Sequence, residues 1–357
     1  MTGRARLRDL GITVGLLPPG PLNAITDVAG VRVGHCTVVA DTPHVVRTGV
    51  TAVWPCGPEI WQEQLFAGVH SFNGCGEMTG TAWIAESGVL GAPICITNTH
   101  AVGVVRDAVC AYGVRSGSEQ SFLLPVVAET YDGWLSDADS FPVKPEHAFA
   151  ALDAATAGPV AEGNVGGGTA MICHEFKGGI GTASRIVEDG GDRFTVGVLV
   201  QANYGARALL RVAGVPVGRE ITTDEVPSPR ARPLDSGSII VVLATDAPLI
   251  HIQCQRLARR ATTGLAWVGG IGANGSGDLF IAFSTANRVR QGAPLTTLRM
   301  LGHERMTPLF QAAAEATEEA ILNALTAAET VTGYKGRTAH ALPLDRLGEI
   351  LRRHGAG

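Results

Sequence analysis

The sequence predicts an α/β protein, and two observations carry that prediction. Short Val/Ile/Leu-rich runs of strand length alternate along the chain with longer Ala-rich runs of helical character. Several strand-like runs are also apolar on both faces, so helices or a second sheet must cover each side. Composition agrees: charged residues make up 17% of the chain, below the usual ~25%, and mean hydropathy is +0.18. A chain of this kind buries much of itself, part of it expected at subunit interfaces.

Taken in order, the strand-like runs are Val50–Trp54, Ile94–Thr97, Phe194–Asn203, Ser238–Thr245, Leu265–Gly269 and Leu279–Ser284. Helical runs fall at His100–Tyr112, Glu146–Ala157, Leu249–Arg260, Pro308–Thr330 and Leu344–Arg353. Thr307 and Pro308 supply a cap and a first-turn proline for the longest helix, which stops before Gly333. Residues 218–237, GREITTDEVPSPRARPLDSG, break the rhythm with charge and three prolines. They read as an exposed linker that runs straight into the strongly β-prone SIIVVLATDAPL.

Several function classes drop out early. A net charge of −5 leaves no footprint for nucleic acid or an anionic membrane. Apolar runs stay short of the ~18 residues a membrane-spanning helix needs, and the N-terminus makes a poor signal peptide. Seven scattered cysteines without a CxxC pair fit reduced thiols of a cytoplasmic protein. The ten histidines form neither HExxH nor a Cys/His cluster, so no metal or cofactor is expected.

The 46 glycines of 357 residues, about 13% against a usual ~7%, need a reason. GIGANG at 270–275 fits G-x-G-x-x-G, but a strand rather than a helix follows it, so the dinucleotide context fails. GNVGGGTAM at 163–171 lacks the Lys-Ser/Thr ending of a P-loop. Three successive glycines instead mark backbone that passes close to backbone or turns with positive φ. Together with FNGCGEMTG at 72–80 and ITNTHAVG at 96–103, such small-residue loops point to a site assembled from backbone N–H groups and amides, as an oxyanion hole is.

ITDVAGVRVGH, SFNGCGEMTG, ITNTHAVGVVRDA, AETYDGWL, GNVGGGTAM, QANYG and GSIIVVLATDAPL, in this order, closely resemble the DmpA-type aminopeptidases. That family comprises L-aminopeptidase/D-amino-acid esterase-amidases and β-aminopeptidases, and the resemblance runs from about Leu10 to about Thr330. It implies one αββα domain, layered like the N-terminal-nucleophile hydrolases but connected differently. It also implies self-cleavage between Gly237 and Ser238, giving chains of residues 1–237 and 238–357.

Residue by residue, the resemblance makes Ser238 the nucleophile of self-cleavage and of substrate acylation. Asn203 matches an oxyanion-hole amide, and Tyr131 a hydroxyl that steadies the tetrahedral intermediate. Ser276 and Asp278 match a hydroxyl and a carboxylate that orient the nucleophile and its amine, the acid being Glu in some members. Glu129 is placed as the carboxylate for the substrate's amine, with Glu77 a second candidate. General chemistry supports this independently: a serine hydroxyl needs a base, and the α-amine of an N-terminal Ser238, with an ordinary pKa of ~7.7–8.0, can serve near neutral pH.

The expected protein is therefore an autoprocessed serine aminopeptidase acting through an acyl-enzyme. Its expected partners are short peptides, amides or esters with a free amine and further copies of itself, as a homo-oligomer. The alternatives are an acyltransferase of the ornithine acetyltransferase type, which typically uses threonine where Ser238 stands here, and a non-enzymatic glycine-loop nucleotide-binding protein.

Overall fold

The computed structural model describes residues 4–118, 120, 122–229 and 236–356. The first half of the chain builds β1 (Arg32–Ala40), β2 (Val46–Trp54), β3 (Glu63–Gly74), α1 (Thr81–Ser87), β4 (Val89–Leu90), β5 (Ile94–Asn98), α2 (Val102–Arg115), β6 (Val126–Thr130) and α3 (Pro145–Asp153). A hairpin follows, β7 (Ile172–Cys173) and β8 (Phe176–Lys177), then the long antiparallel pair β9 (Gly179–Asp189) and β10 (Asp192–Asn203). The remainder comprises β11 (Ser236–Thr245), α4 (His251–Ala258), α5 (Ala261–Val268), β12 (Gly275–Arg290), α6 (Met306–Ala327), a small pair β13 (Val331–Thr332) and β14 (Thr338–Ala339), and α7 (Leu344–Arg353).

These elements form the αββα sandwich. One sheet has the order β1-β2-β5-β6 and the other β4-β3-β12-β11-β10-β9. Strand pleating sorts the core. Along β11, Ile240, Val242 and Ala244 join Val50, Ala52, Ile94, Ile96 and Val126 in the core between the sheets, which continues to α2 and α3. Ile239, Val241 and Leu243 face the other way, into a second core with Cys254, Leu257, Leu265, Ala313 and Ala320 of α4, α5 and α6. A strand buried on both faces explains the unbroken SIIVVLA.

Five of the six predicted strands and all five predicted helices are present. The exception is Leu265–Gly269, whose residues 265–268 end α5. Its buried residues Ala261, Gly264, Leu265 and Val268 follow helical spacing, and Gly269, with φ of 108°, ends it. The glycine loop at 270–275 thus runs from a helix into β12, the reverse of a dinucleotide site. The longest helix begins at Met306, so Pro308 lies in its first turn as expected, while Thr307 is the second helical residue rather than the cap, which is Arg305.

Gly166–Gly168 form a buried 3-10 turn wedged between the sheets. A Cβ at Gly168 would lie 2.5 Å from Ile180 N, and one at Gly167 2.9 Å from Ile96 O, so the backbone passes close as the sequence implied. Of the predicted linker, Gly218 and Ile221 are buried, Thr222–Glu225 are exposed, and residues 230–235 lie outside the described residues. No helix among the described residues is long and apolar enough to cross a membrane.

Candidate active site

The site forms where strand ends from both sheets meet. Ser238 lies near the start of β11, paired with Asn203 at the end of β10 on one side and with Gly277 of β12 on the other. By alternation Ser238 and Asn203 share the face of Ile240 and Leu199, toward the other sheet. Ser238 is 5% exposed. Its hydroxyl donates to the Gly237 carbonyl at 2.5 Å and accepts from the Gly277 N–H at 3.3 Å.

The Asn203 carboxamide is fixed at both ends. Oδ1 accepts from Ile172 N–H at 2.8 Å, and Nδ2 donates to the Tyr131 carbonyl at 3.0 Å. An amide nitrogen carries two hydrogens, so the second remains available as a donor. Tyr131 therefore enters the site through its main chain. Its half-exposed ring folds over the Gly133 backbone and meets His100 edge-on, with centroids 6.2 Å apart.

The structure brings Ser276 and Asp278 together, Ser276 Oγ donating to Asp278 Oδ1 at 2.5 Å. Asp278 has the parity of Phe280, on the opposite face of the sheet from the Ser238 hydroxyl. Its carboxylate bonds the Ile239 N–H, so the pair addresses the main chain at the strand's head. Burial raises the Asp278 pKa, opposed by the Ser276 hydroxyl and the Ile239 N–H. A small cavity of about 30 Å³, shared with Tyr204, lies beneath both side chains.

Glu129, at the end of β6, is 3% exposed. One carboxylate oxygen accepts from Glu77 N–H at 3.0 Å and the other from the Thr99 hydroxyl. Burial raises its pKa, the two hydrogen bonds oppose the rise, and the Glu77 charge adds to it. Gly76 packs against both Glu129 and Gly277, the residue whose N–H meets the Ser238 hydroxyl: a Cβ at Gly76 would lie 3.3 Å from Glu129 Oε1 and 3.0 Å from Gly277 Cα. Glu77 itself is exposed at the rim.

Three groups here escaped the sequence reading: the Thr99 hydroxyl, the Gly277 N–H and the Ile172 N–H. Thr99 falls within the flagged ITNTHAVG stretch, whereas main-chain donors carry no residue signature. Among the described residues, no group of three or more His, Cys, Asp or Glu side chains is placed to hold a metal ion.

A hydroxyl at the head of an inner strand, in a sandwich of two sheets covered by helices, is the layout of the N-terminal-nucleophile hydrolases. Within that class the chain belongs to Peptidase family S58, which it matches over residues 23–339. It is 49% identical, over 98% of its length and 92% of the relative's, to "Beta-peptidyl aminopeptidase BapA" of Sphingosinicella microcystinivorans. Among solved structures it resembles a Burkholderia sp. beta-aminopeptidase, with TM-score 0.92 and 50% identity, covering 98% of this chain and 99% of that one. The L-aminopeptidase D-Ala-esterase/amidase of Ochrobactrum anthropi, described as a prototype for the serine aminopeptidases and a new variant among the Ntn hydrolase fold, gives TM-score 0.92 and 45% identity over the same shares. The protein is a serine aminopeptidase; these relatives favour neither the acyltransferase nor the nucleotide-binding alternative.

Proposed function

We propose that the chain matures by cutting itself between Gly237 and Ser238 and then releases N-terminal residues from short peptides, amides or esters. The observation that carries this is the Ser238 hydroxyl, lying 2.5 Å from the carbonyl oxygen of the residue before it. Attack by Oγ on the Gly237 carbonyl carbon moves the acyl group from nitrogen to oxygen and frees the Ser238 amine. Water then opens the ester, leaving Gly237 as a new carboxylate and Ser238 as an N-terminus.

In turnover the Ser238 amine takes the hydroxyl proton as Oγ attacks the substrate carbonyl and returns it to the leaving amine or alcohol. Water, deprotonated by the same amine, then opens the acyl-enzyme ester, which frees the N-terminal residue as its carboxylic acid and restores the Ser238 hydroxyl. The free hydrogen of Asn203 Nδ2 supports the oxyanion. Ser276 and Asp278 hold the new amine from the far face of the sheet. Glu129 receives the substrate's ammonium. Tyr131 positions Asn203 through its carbonyl, and the family resemblance supports a role for its half-exposed hydroxyl at the intermediate.

The β-aminopeptidase relatives support N-terminal β-residues as the favoured substrates, with L-α and D residues as the comparison. Low charge and exposed Leu16, Phe122, Leu295 and Met300 support a homo-oligomer, and the cysteine pattern supports a cytoplasmic location. A panel of β-, L- and D-aminoacyl p-nitroanilides tests the reading. The β-aminoacyl compounds are expected to turn over fastest and Ser238→Ala to hydrolyse none. Full activity in Ser238→Ala would overturn the assignment.

A further inference from the structure

Lys177 is fully buried at the end of β8. Its ammonium nitrogen donates to the Gly168 carbonyl at 3.1 Å and the Gly178 carbonyl at 2.7 Å. Among the described residues the ionisable group that faces it is the Cys173 thiol rather than a carboxylate. Burial pulls its pKa down to about 7, and a neutral amine has two hydrogens for these two acceptors. A buried lysine without a counter-ion is costly, and such groups concentrate at functional sites.

What Lys177 clamps is the base of the β7–β8 hairpin. Gly168 O also accepts from Met171 N–H, and Met171 O accepts from Gly178 N–H. The hairpin turns through His174 and Glu175, with φ of 48° and 63°. Two successive left-handed residues without glycine are strained and persist only where their surroundings enforce them. Here the enforcement comes from the residues that follow Asn203. His174 N–H donates to Tyr204 O at 2.6 Å, Arg207 N–H donates to Glu175 Oε1 at 3.0 Å, and the Arg207 guanidinium stacks 4.1 Å over Phe176. The hairpin's remaining product is the Ile172 N–H, aimed at Asn203 Oδ1.

We infer that Lys177 is a positioning residue: by clamping Gly168 and Gly178 it holds the β7–β8 hairpin so that Ile172 N–H locks the Asn203 carboxamide with an Nδ2 hydrogen toward the oxyanion. The inference rests on the proposed role of Asn203 and concerns a residue that touches neither substrate nor nucleophile.

Lys177→Met, which keeps the stem and removes the donors, is expected to lower kcat about tenfold or more with KM within about twofold. On an Asn203→Ala background the same change is expected to cost under about twofold, because the amide it positions is gone. Lys177→Gln, with a donor for one carbonyl, should fall between. Equal losses on both backgrounds, or native kcat in Lys177→Met, would overturn the inference. If turnover in the double variant is too slow to read or Lys177→Met does not fold, a crystal structure of Lys177→Gln decides. A rotated Asn203 amide supports the clamp, and an unmoved one refutes it. Native kcat in Asn203→Ala would instead sink the oxyanion reading itself.

Discussion

Burial sets the chemistry of the carboxyl groups around Ser238. Glu129 is raised above the ordinary glutamate range by burial, yet must be ionised to hold an ammonium. A raised pKa means that it takes up a proton, and so loses its hold on the amine, at a higher pH than an exposed glutamate would. KM for free-amine substrates is therefore expected to climb on acidification while ordinary carboxylates are still charged. In Glu129→Gln it should be about tenfold or more higher at neutral pH, from the loss of one charge-assisted bond, and flat across that range. An identical pH dependence in the variant would assign amine binding to another acid. At this scale the resemblance supplied Ser238, Asn203, Ser276, Asp278 and Glu129, and the structure gathers them. Two things stayed invisible. The pleat decides that Asp278 faces away from the Ser238 hydroxyl, and N–H donors such as those of Gly277 and Ile172 belong to the backbone at any residue type.

At the scale of elements, β11 was legible because an apolar run without alternation has one simple explanation, burial on both faces. Strands β1, β3, β6 and β9 are absent from the sequence reading, and for β9 the reason is the opposite one. β9, GIGTASRIVED, is buried along most of its length, yet its small and polar residues give no hydrophobic signal. Its burial comes from α6, whose Ala320 carbonyl lies so near Gly181 that a Cβ there would collide with it. The misread Leu265–Gly269 shows the limit of a short apolar run, which fits a strand until the helical spacing back to Ala261 is counted. In α5, a Cβ at Gly264 would meet the Ala314 carbonyl of α6 at 2.3 Å. Gly264→Val is thus expected to destabilise the fold by about 1–3 kcal/mol through overpacking. An unchanged melting temperature would contradict the α5–α6 contact.

Across the whole molecule, the proposed cut divides the chain without dividing the fold. In the larger sheet β12 and β11, from residues after Gly237 apart from Ser236 and Gly237 at the head of β11, lie between β3 and β10 from residues before it. Charge adds a second fastening. Arg185 of β9 is wholly buried and reaches Glu319 at 2.7 Å and Glu315 at 3.2 Å on α6, and Arg8 meets Glu319 at 2.8 Å. Removing one partner of such a buried network leaves an uncompensated charge, which is strongly destabilising. These links predict that the two fragments elute together from a sizing column and part only in denaturant. The αββα architecture itself was legible through the family resemblance, while periodicity alone reached only α/β, because which sheet a strand joins depends on contacts far apart in sequence. The most direct test of the central claim is the mass spectrum of the freshly purified protein under denaturing conditions. Two species are expected, of about 25 and 12 kDa by chain length, the smaller beginning at Ser238. A single species at the full 37.0 kDa, in a preparation that hydrolyses aminoacyl substrates, would contradict it.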